Sequence, residues 1–237
     1  SRRDQRKQLD LLLKINEVHK QKRQAEGDLE ARINSFELAY RMQTDAREAF
    51  DIAGEKPETV AKYGANAQGR QMLIARRLLE RGVRFVQVRQ GGWDLHGGIA
   101  QRAANNARQL DPAIGAIMDD LKERGLFEDT LIYITSEFGR SPTADGGGGR
   151  SHNARGLSTV LMGGGIKGGI AYGSTDEIGG AAVENKVHVK DIHATVMDLL
   201  GFDHEQLTYR TAGRDFRLTQ ATRSLPQGGM PVKGIIA

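Results

Sequence analysis

VRFVQVRQGGWDLHGG, residues 83–98, joins an alternating run rich in β-branched residues to an Asp-x-His pair set among glycines. The run 83–89 reads as a strand, with Val83, Phe85, Val86 and Val88 set among Arg84, Gln87 and Arg89. In extended backbone, side chains two apart project to the same side, so Asp94 and His96 can converge just beyond that strand. A carboxylate and an imidazole meeting there make a corner suited to a hard-to-borderline cation. The same residues also fit a polar turn with a capped backbone, and the stretch by itself leaves both readings open.

Upstream, RQMLIARRLLERG is expected to be a helix closed by Gly82. Downstream, residues 100–124 have the spacing of a long amphipathic helix ending at Gly125. TLIYITSEF (130–138) reads as a buried strand and GRSPTADGGGGRSH as a long glycine-rich loop. LSTVLMGGG (157–165) reads as a third strand, and DIHATVMDLLG (191–201) as a helix with Asp191 at its N-cap and Gly201 as its stop. Alternating strands and helices imply an α/β fold with a largely parallel sheet. Two helices are expected before it. One lies over 4–23, carrying Leu9, Leu12, Leu13 and Ile15, and one over 29–50, carrying Leu29, Ile33, Phe36 and Tyr40. The breaker-rich stretch 51–69 reads as a linker or surface excursion. This places a helical segment at 1–65 ahead of an α/β part at 66–237.

In parallel α/β sheets, ligands gather beyond the carboxyl ends of the strands. Three polar groups fall at such places: Asp94 with His96, Glu137 with Arg140, and His152 in the loop before strand 157–165. The carboxylates and imidazoles of Asp94, His96, Glu137 and His152 form a candidate metal set, and Arg140 and Arg150 are candidates to hold an anionic oxygen. Each has a simpler reading as well. Glu137 could pair with Arg140, and Gly146–Gly149 could be only a mobile tract. GGGIKG, 163–168, satisfies G-x-G-x-x-G after a strand, but no helix opens behind it to receive a pyrophosphate. His188, His193 and His204 suit core or surface roles better than ligation, although His193 could face the site from a helix N-terminus.

The composition excludes several classes. The chain has 237 residues and no cysteine, so disulfides, thiolate metal sites and cysteine nucleophiles are ruled out among them. A metal here needs His, Asp, Glu, Ser or Thr ligands, which favours zinc, manganese, magnesium or calcium. Net charge is +4, and eight Lys/Arg against three Asp/Glu fall in the first 23 residues. A solvated helix face accounts for them. With aromatics at 5% and no basic–aromatic interleaving, no nucleic-acid partner is expected. No apolar run approaches the ~18 residues of a membrane span. No uncharged apolar core follows SRRDQRKQLD, so no export signal is expected within these residues, although a precursor could carry one.

ERGVRFVQVRQGGWDLHGG, LKERGLFEDTLIYITSEFGRSP, GGGGRSHNARG, LMGGGIKGG, VHVKDIHATVMDLLG and AGRDFRL together resemble the bacterial DUF1501 family, a sulfatase-like group frequent in planctomycetes and assigned to the alkaline phosphatase superfamily. The resemblance covers nearly the whole chain. It implies an α/β/α sandwich with a mostly parallel sheet, here incomplete on its N-terminal side and preceded by helices, with 66–237 as the C-terminal part of the domain. It also implies hydrolysis of a small or polymeric sulfate or phosphate ester with one or two divalent ions. Asp94 and His96 match one metal-binding segment, His152 the late histidine, and Glu137 the position of an Asp in an Asp-His pair. The pattern departs at Phe138, which stands where the pair's histidine is expected, and at Ser151 and Asn153, which flank His152 in place of Asp and His. The nucleophile is expected upstream of these residues, so this piece is expected to be inactive alone, and formylglycine cannot arise from a chain without Cys. Relatives are typically exported, implying a periplasmic or envelope location. The alternative is a catalytically degenerate member that binds or assembles at the envelope.

Overall fold

The computed structural model describes residues 7, 8, 10–15, 27–223 and 226–237, with the backbone alone for 27–31 and 41–46. Of the first expected helix, residues 7, 8 and 10–15 are helical and the rest of 4–23 lies outside the described residues. The second is α1, Gly27–Phe50, in which Phe36 stays 70% exposed rather than facing a core.

The stretch read as a linker or surface excursion folds into helices instead. Pro57 opens α2, Pro57–Tyr63, where its missing N–H costs nothing, and Tyr63 at the end of α2 is fully buried. Asn66 then caps α3, Ala67–Leu79, its side chain accepting from the Gly69 N–H at 2.9 Å. The helix read over 100–124 is α4, Ile99–Glu123. Tyr63, Leu73, Ala75, Ala116, Ile117 and Leu121 from α2, α3 and α4 make the main core.

A charge network lies within this core. Arg76 is 3% exposed and bonds Glu55 at 2.8 Å and Glu80 at 2.9 Å, while Tyr63 donates to the buried Asp120 at 2.9 Å. Arg77 adds a further hydrogen bond to Glu55, and Arg124 one to Glu80. Desolvation pushes the Glu55 carboxyl up, but hydrogen bonds from Arg77 and Arg76 outweigh it and leave the group below its ordinary value.

The chain is α/β in content, but its sheets correct the expected parallel, alkaline-phosphatase-like sandwich. The named strands form four separate antiparallel pairs. β1, Leu131–Ile134, runs against β4, Val160–Gly163, with Ile132 opposite Met162. A parallel return needs a crossover, usually a helix. The segment between β1 and β4 instead folds as the hairpin β2–β3, Gly139–Ala144 with Arg150–Asn153, so the chain comes back antiparallel. The pairs β5–β6, Ser174–Thr175 with Ala182–Glu184, and β7–β8, Tyr209–Thr211 with Arg214–Phe216, are short.

The run 83–89 is likewise not a strand. Val86 and Val88 pack against the core while their neighbours stay exposed, so the alternation is real, but no ladder forms alongside it. Alternating hydrophobicity records which face is covered, and here helices cover it. The read helix 191–201 is α5, Val189–Leu199, and Asp191 is not its N-cap. His188 holds that place, Nδ1 accepting from the Lys190 N–H at 3.1 Å, while Asp191 accepts from the His188 N–H at 2.8 Å in a capping box. No helix follows GGGIKG, as expected.

Candidate metal centre

The site is made where two loops meet along their backbones. The first is 90–98. Gln90 donates to the Asn106 carbonyl at 3.2 Å and Asn106 donates to the Gly92 carbonyl at 2.7 Å, pinning the loop to α4. The second is the turn of the β2–β3 hairpin. The Arg150 N–H donates to the Leu95 carbonyl at 3.0 Å and the Gly98 N–H to the Gly147 carbonyl at 3.0 Å. The glycine tract 146–149 is therefore a turn that packs against loop 90–98 through Gly147 and Gly149. A Cβ at Gly149 would lie 2.1 Å from the His96 carbonyl carbon, so only glycine lets the two segments approach this closely.

Leu95, 2% exposed, points inward between Asp94 and His96, which therefore share the outer side as period two requires. On β3, His152 sits directly across from Arg140 of β2. The result is a triangle of three donor atoms. Asp94 Oδ1 lies 3.1 Å from His96 Nε2 and 3.0 Å from His152 Nε2, and the two imidazole nitrogens are 3.2 Å apart. All three side chains are exposed, so the open face of the triangle meets solvent.

Three neighbours shape this triangle. Arg140 Nη2 donates to Asp94 Oδ1 at 2.7 Å, and Arg140 Nη1 to the Arg150 carbonyl at 3.2 Å. The hydrogen bond from Arg140, and after it that from His152, draws the Asp94 carboxyl down to about 2. The Phe138 ring lies over His152 with centroids 4.1 Å apart. Behind His96, Asp145 Oδ2 is 3.0 Å from Nδ1, and Asp145 Oδ1 accepts from the Ser151 hydroxyl at 2.6 Å. The bonds from Ser151 and then His96 lower the Asp145 carboxyl as well.

Of the residues picked out by sequence, Asp94, His96 and His152 come together, with Arg140 against them. Arg150 is half-buried at the base of the hairpin and bonds the Gly149 carbonyl at 2.8 Å. Glu137 is exposed and stands outside the group. β1 ends at Ile134, so Glu137 falls in the irregular link between β1 and β2 rather than at a strand end. Asp145 and Ser151 were missed as contributors. The one local signal for Asp145 is its Asp-Gly start to the turn, which marks a bend and says nothing of His96.

The donor set fits a divalent first-row ion. A tetrahedral ion with ~2.0–2.1 Å bonds holds its ligands about 3.3 Å apart, close to the edges of this triangle. His96 also lies between two carboxylates. Whichever ring nitrogen of neutral His96 carries its single proton, the other turns a lone pair toward Asp94 or Asp145. A proton on each nitrogen, or a cation at the Nε2 side, relieves that conflict.

Among the described residues, no helix is long and apolar enough to cross a membrane. No curated protein and no solved structure matches the chain. The family model of DUF1501, a protein of unknown function, matches residues 1–227. The chain therefore belongs to the DUF1501 family.

Proposed function

We propose that Asp94, His96 and His152 hold one divalent metal ion and that the protein is a metal-dependent hydrolase of sulfate or phosphate esters. The observation that carries the metal reading is the triangle of Asp94 Oδ1, His96 Nε2 and His152 Nε2 at 3.0–3.2 Å, open to solvent on one side. Its resemblance to sulfatase-like members of the alkaline phosphatase superfamily supplies the substrate class. An ion bound there supplies Lewis acidity toward an ester oxygen, worth several kcal/mol of barrier. Arg140 holds the Asp94 carboxylate ionised and in place. Arg140 and Arg150 together put positive charge beside an anionic substrate. Zinc or manganese suits two imidazoles and one carboxylate better than magnesium or calcium.

None of the three proposed ligands is itself a nucleophile. Turnover is therefore assayed on the longest form of the protein that carries this chain, with aryl sulfates and aryl phosphates as substrates. Stoichiometric metal in the purified protein, and activity lost on His152→Ala, are expected. Absence of bound metal, or unchanged hydrolysis in that variant, overturns the reading.

A second reading is a degenerate member that keeps the fold to bind or assemble a polysaccharide or a partner at the cell envelope. Phe138, tilted against His152 with ring centroids 4.1 Å apart, favours it, because the resemblance implies a ligating histidine at that position. Metal binding without hydrolysis of either ester class would favour this reading over the first. A periplasmic or envelope location belongs to both and is tested by fractionation.

A further inference from the structure

We infer that Asp145, braced by Ser151, is the positioning carboxylate of this centre: it holds the proton of His96 on Nδ1 and so commits Nε2 to the metal. The inference rests on the metal reading of Asp94, His96 and His152 and adds what their geometry requires behind the ring. With an ion at the triangle taking the Nε2 lone pair, the one proton of a neutral His96 belongs on Nδ1, where the ionised Asp145 Oδ2, 3.0 Å away, accepts it. The lone pair of Nε2 then faces Asp94 Oδ1 and His152 Nε2, the two other corners of the triangle.

Asp145 is itself fixed from several sides. Its second oxygen accepts from the Ser151 hydroxyl at 2.6 Å. Its backbone N–H donates to the Gly149 carbonyl at 3.0 Å, and its carbonyl accepts from the Gly148 N–H at 2.9 Å. The Ser151 N–H in turn donates to Ser141 Oγ at 3.2 Å, tying the brace across the hairpin. Ser151 immediately precedes His152, so a single short segment supplies one ligand and buttresses the carboxylate that orients another. A carboxylate behind a ligating imidazole fixes its tautomer and ring plane and raises its basicity, and losing such a partner typically weakens metal binding ~10–100-fold.

The test uses the 237-residue chain and Zn(II), with affinity read by competition against a chromophoric chelator. Asp145→Ala is expected to weaken zinc binding ~10–100-fold, and Ser151→Ala by less. Asp145→Asn, whose amide oxygen still accepts from Nδ1–H, should fall between Asp145→Ala and the wild type. A purely structural role would not move the second readout, the imidazole nitrogen NMR spectrum of the zinc-loaded protein. There His96 should be protonated at Nδ1 and metal-bound at Nε2, with the Nδ1 proton in slow exchange. In Asp145→Ala that proton should exchange fast while the backbone amide spectrum is retained. If Asp145→Ala does not fold, Asp145→Asn carries both readouts. Wild-type zinc affinity in the folded variants, or metallation of His96 through Nδ1, overturns the inference while leaving the metal site standing. A wild type that takes up none of Zn(II), Mn(II), Mg(II) and Ca(II) overturns the metal reading and this inference with it.

Discussion

His96 and His152, 56 residues apart in sequence, face one another through their Nε2 atoms at 3.2 Å. Two imidazoles in that attitude share one proton at most without repulsion, and Asp94 Oδ1 closes the triangle from the third side. A single cation satisfies all three atoms together. His96→Ala and His152→Ala are each expected to lower Zn(II) affinity by at least ~100-fold, read by calorimetric titration. Equal affinities in wild type and both variants would show that the histidines serve another purpose.

Because His152 on β3 lies 56 residues beyond His96, the unfolded chain offers no assembled site, and metal binding should add directly to folding stability. At a free zinc concentration 100 times the dissociation constant, the gain is about 2.7 kcal/mol. A thermal unfolding series with increasing Zn(II) should rise accordingly, and chelator should reverse it. A melting temperature indifferent to the metal would count against a specific site.

Gly149 and Gly146 sit three residues apart in the same turn but face different surroundings. A Cβ at Gly149 meets the His96 backbone at 2.1 Å, whereas one at Gly146 meets nothing within 4 Å. Gly149→Ala is expected to cost about 1–3 kcal/mol and to impair metal binding by spreading the two loops. Gly146→Ala should do neither. Chemical denaturation combined with zinc titration of both variants separates these outcomes.

The charge network under the helices contributes to the acid limb of stability. Glu55 titrates below its ordinary range when folded, so the unfolded chain takes up its proton first as pH falls. Its contribution is whole above the ordinary carboxyl value of 4.5 and is lost as pH drops through the lower folded value. Melting temperature should thus hold level near neutrality and fall in acid, with a shallower fall in Glu55→Gln. An identical acid limb in that variant would exclude Glu55 as a contributor.

Asp120 anchors the same network from α4, accepting from Tyr63 at 2.9 Å and lying 3.5 Å from Arg76 Nε. Asp120→Ala leaves the Tyr63 hydroxyl and part of the Arg76 charge without a buried partner. It should cost about 3 kcal/mol in urea unfolding. A loss below about 1 kcal/mol would mean that Glu55 and Glu80 neutralise Arg76 on their own.

What could be read in the sequence was local. The spacing of Asp94 and His96 about Leu95 follows from strand periodicity alone, and so does the inward turn of Leu95. The long helix ending at Gly125 announced itself through its apolar repeat, and Gly125 takes the left-handed φ of 67° that such a stop requires. Pairing was not legible. Residues 83–89 alternate whether a strand or a helix layer covers Val86 and Val88, and nothing in TLIYITSEF states that its partner returns antiparallel. Glu137 was misplaced for a related reason, since its position at a strand end assumed a strand longer than Leu131–Ile134. Asp145 was invisible because its partner lies 49 residues away and only the meeting of two glycine turns brings them together.

Trp93, the chain's one tryptophan, stands next to Asp94, with its indole N–H on Gln90 Oε1 at 2.9 Å and its carbonyl near Arg140. The molecule thus carries an intrinsic fluorophore beside its candidate centre. Any occupant that reorders loop 90–98 should register in the colour or intensity of a single emitter, with no dye attached.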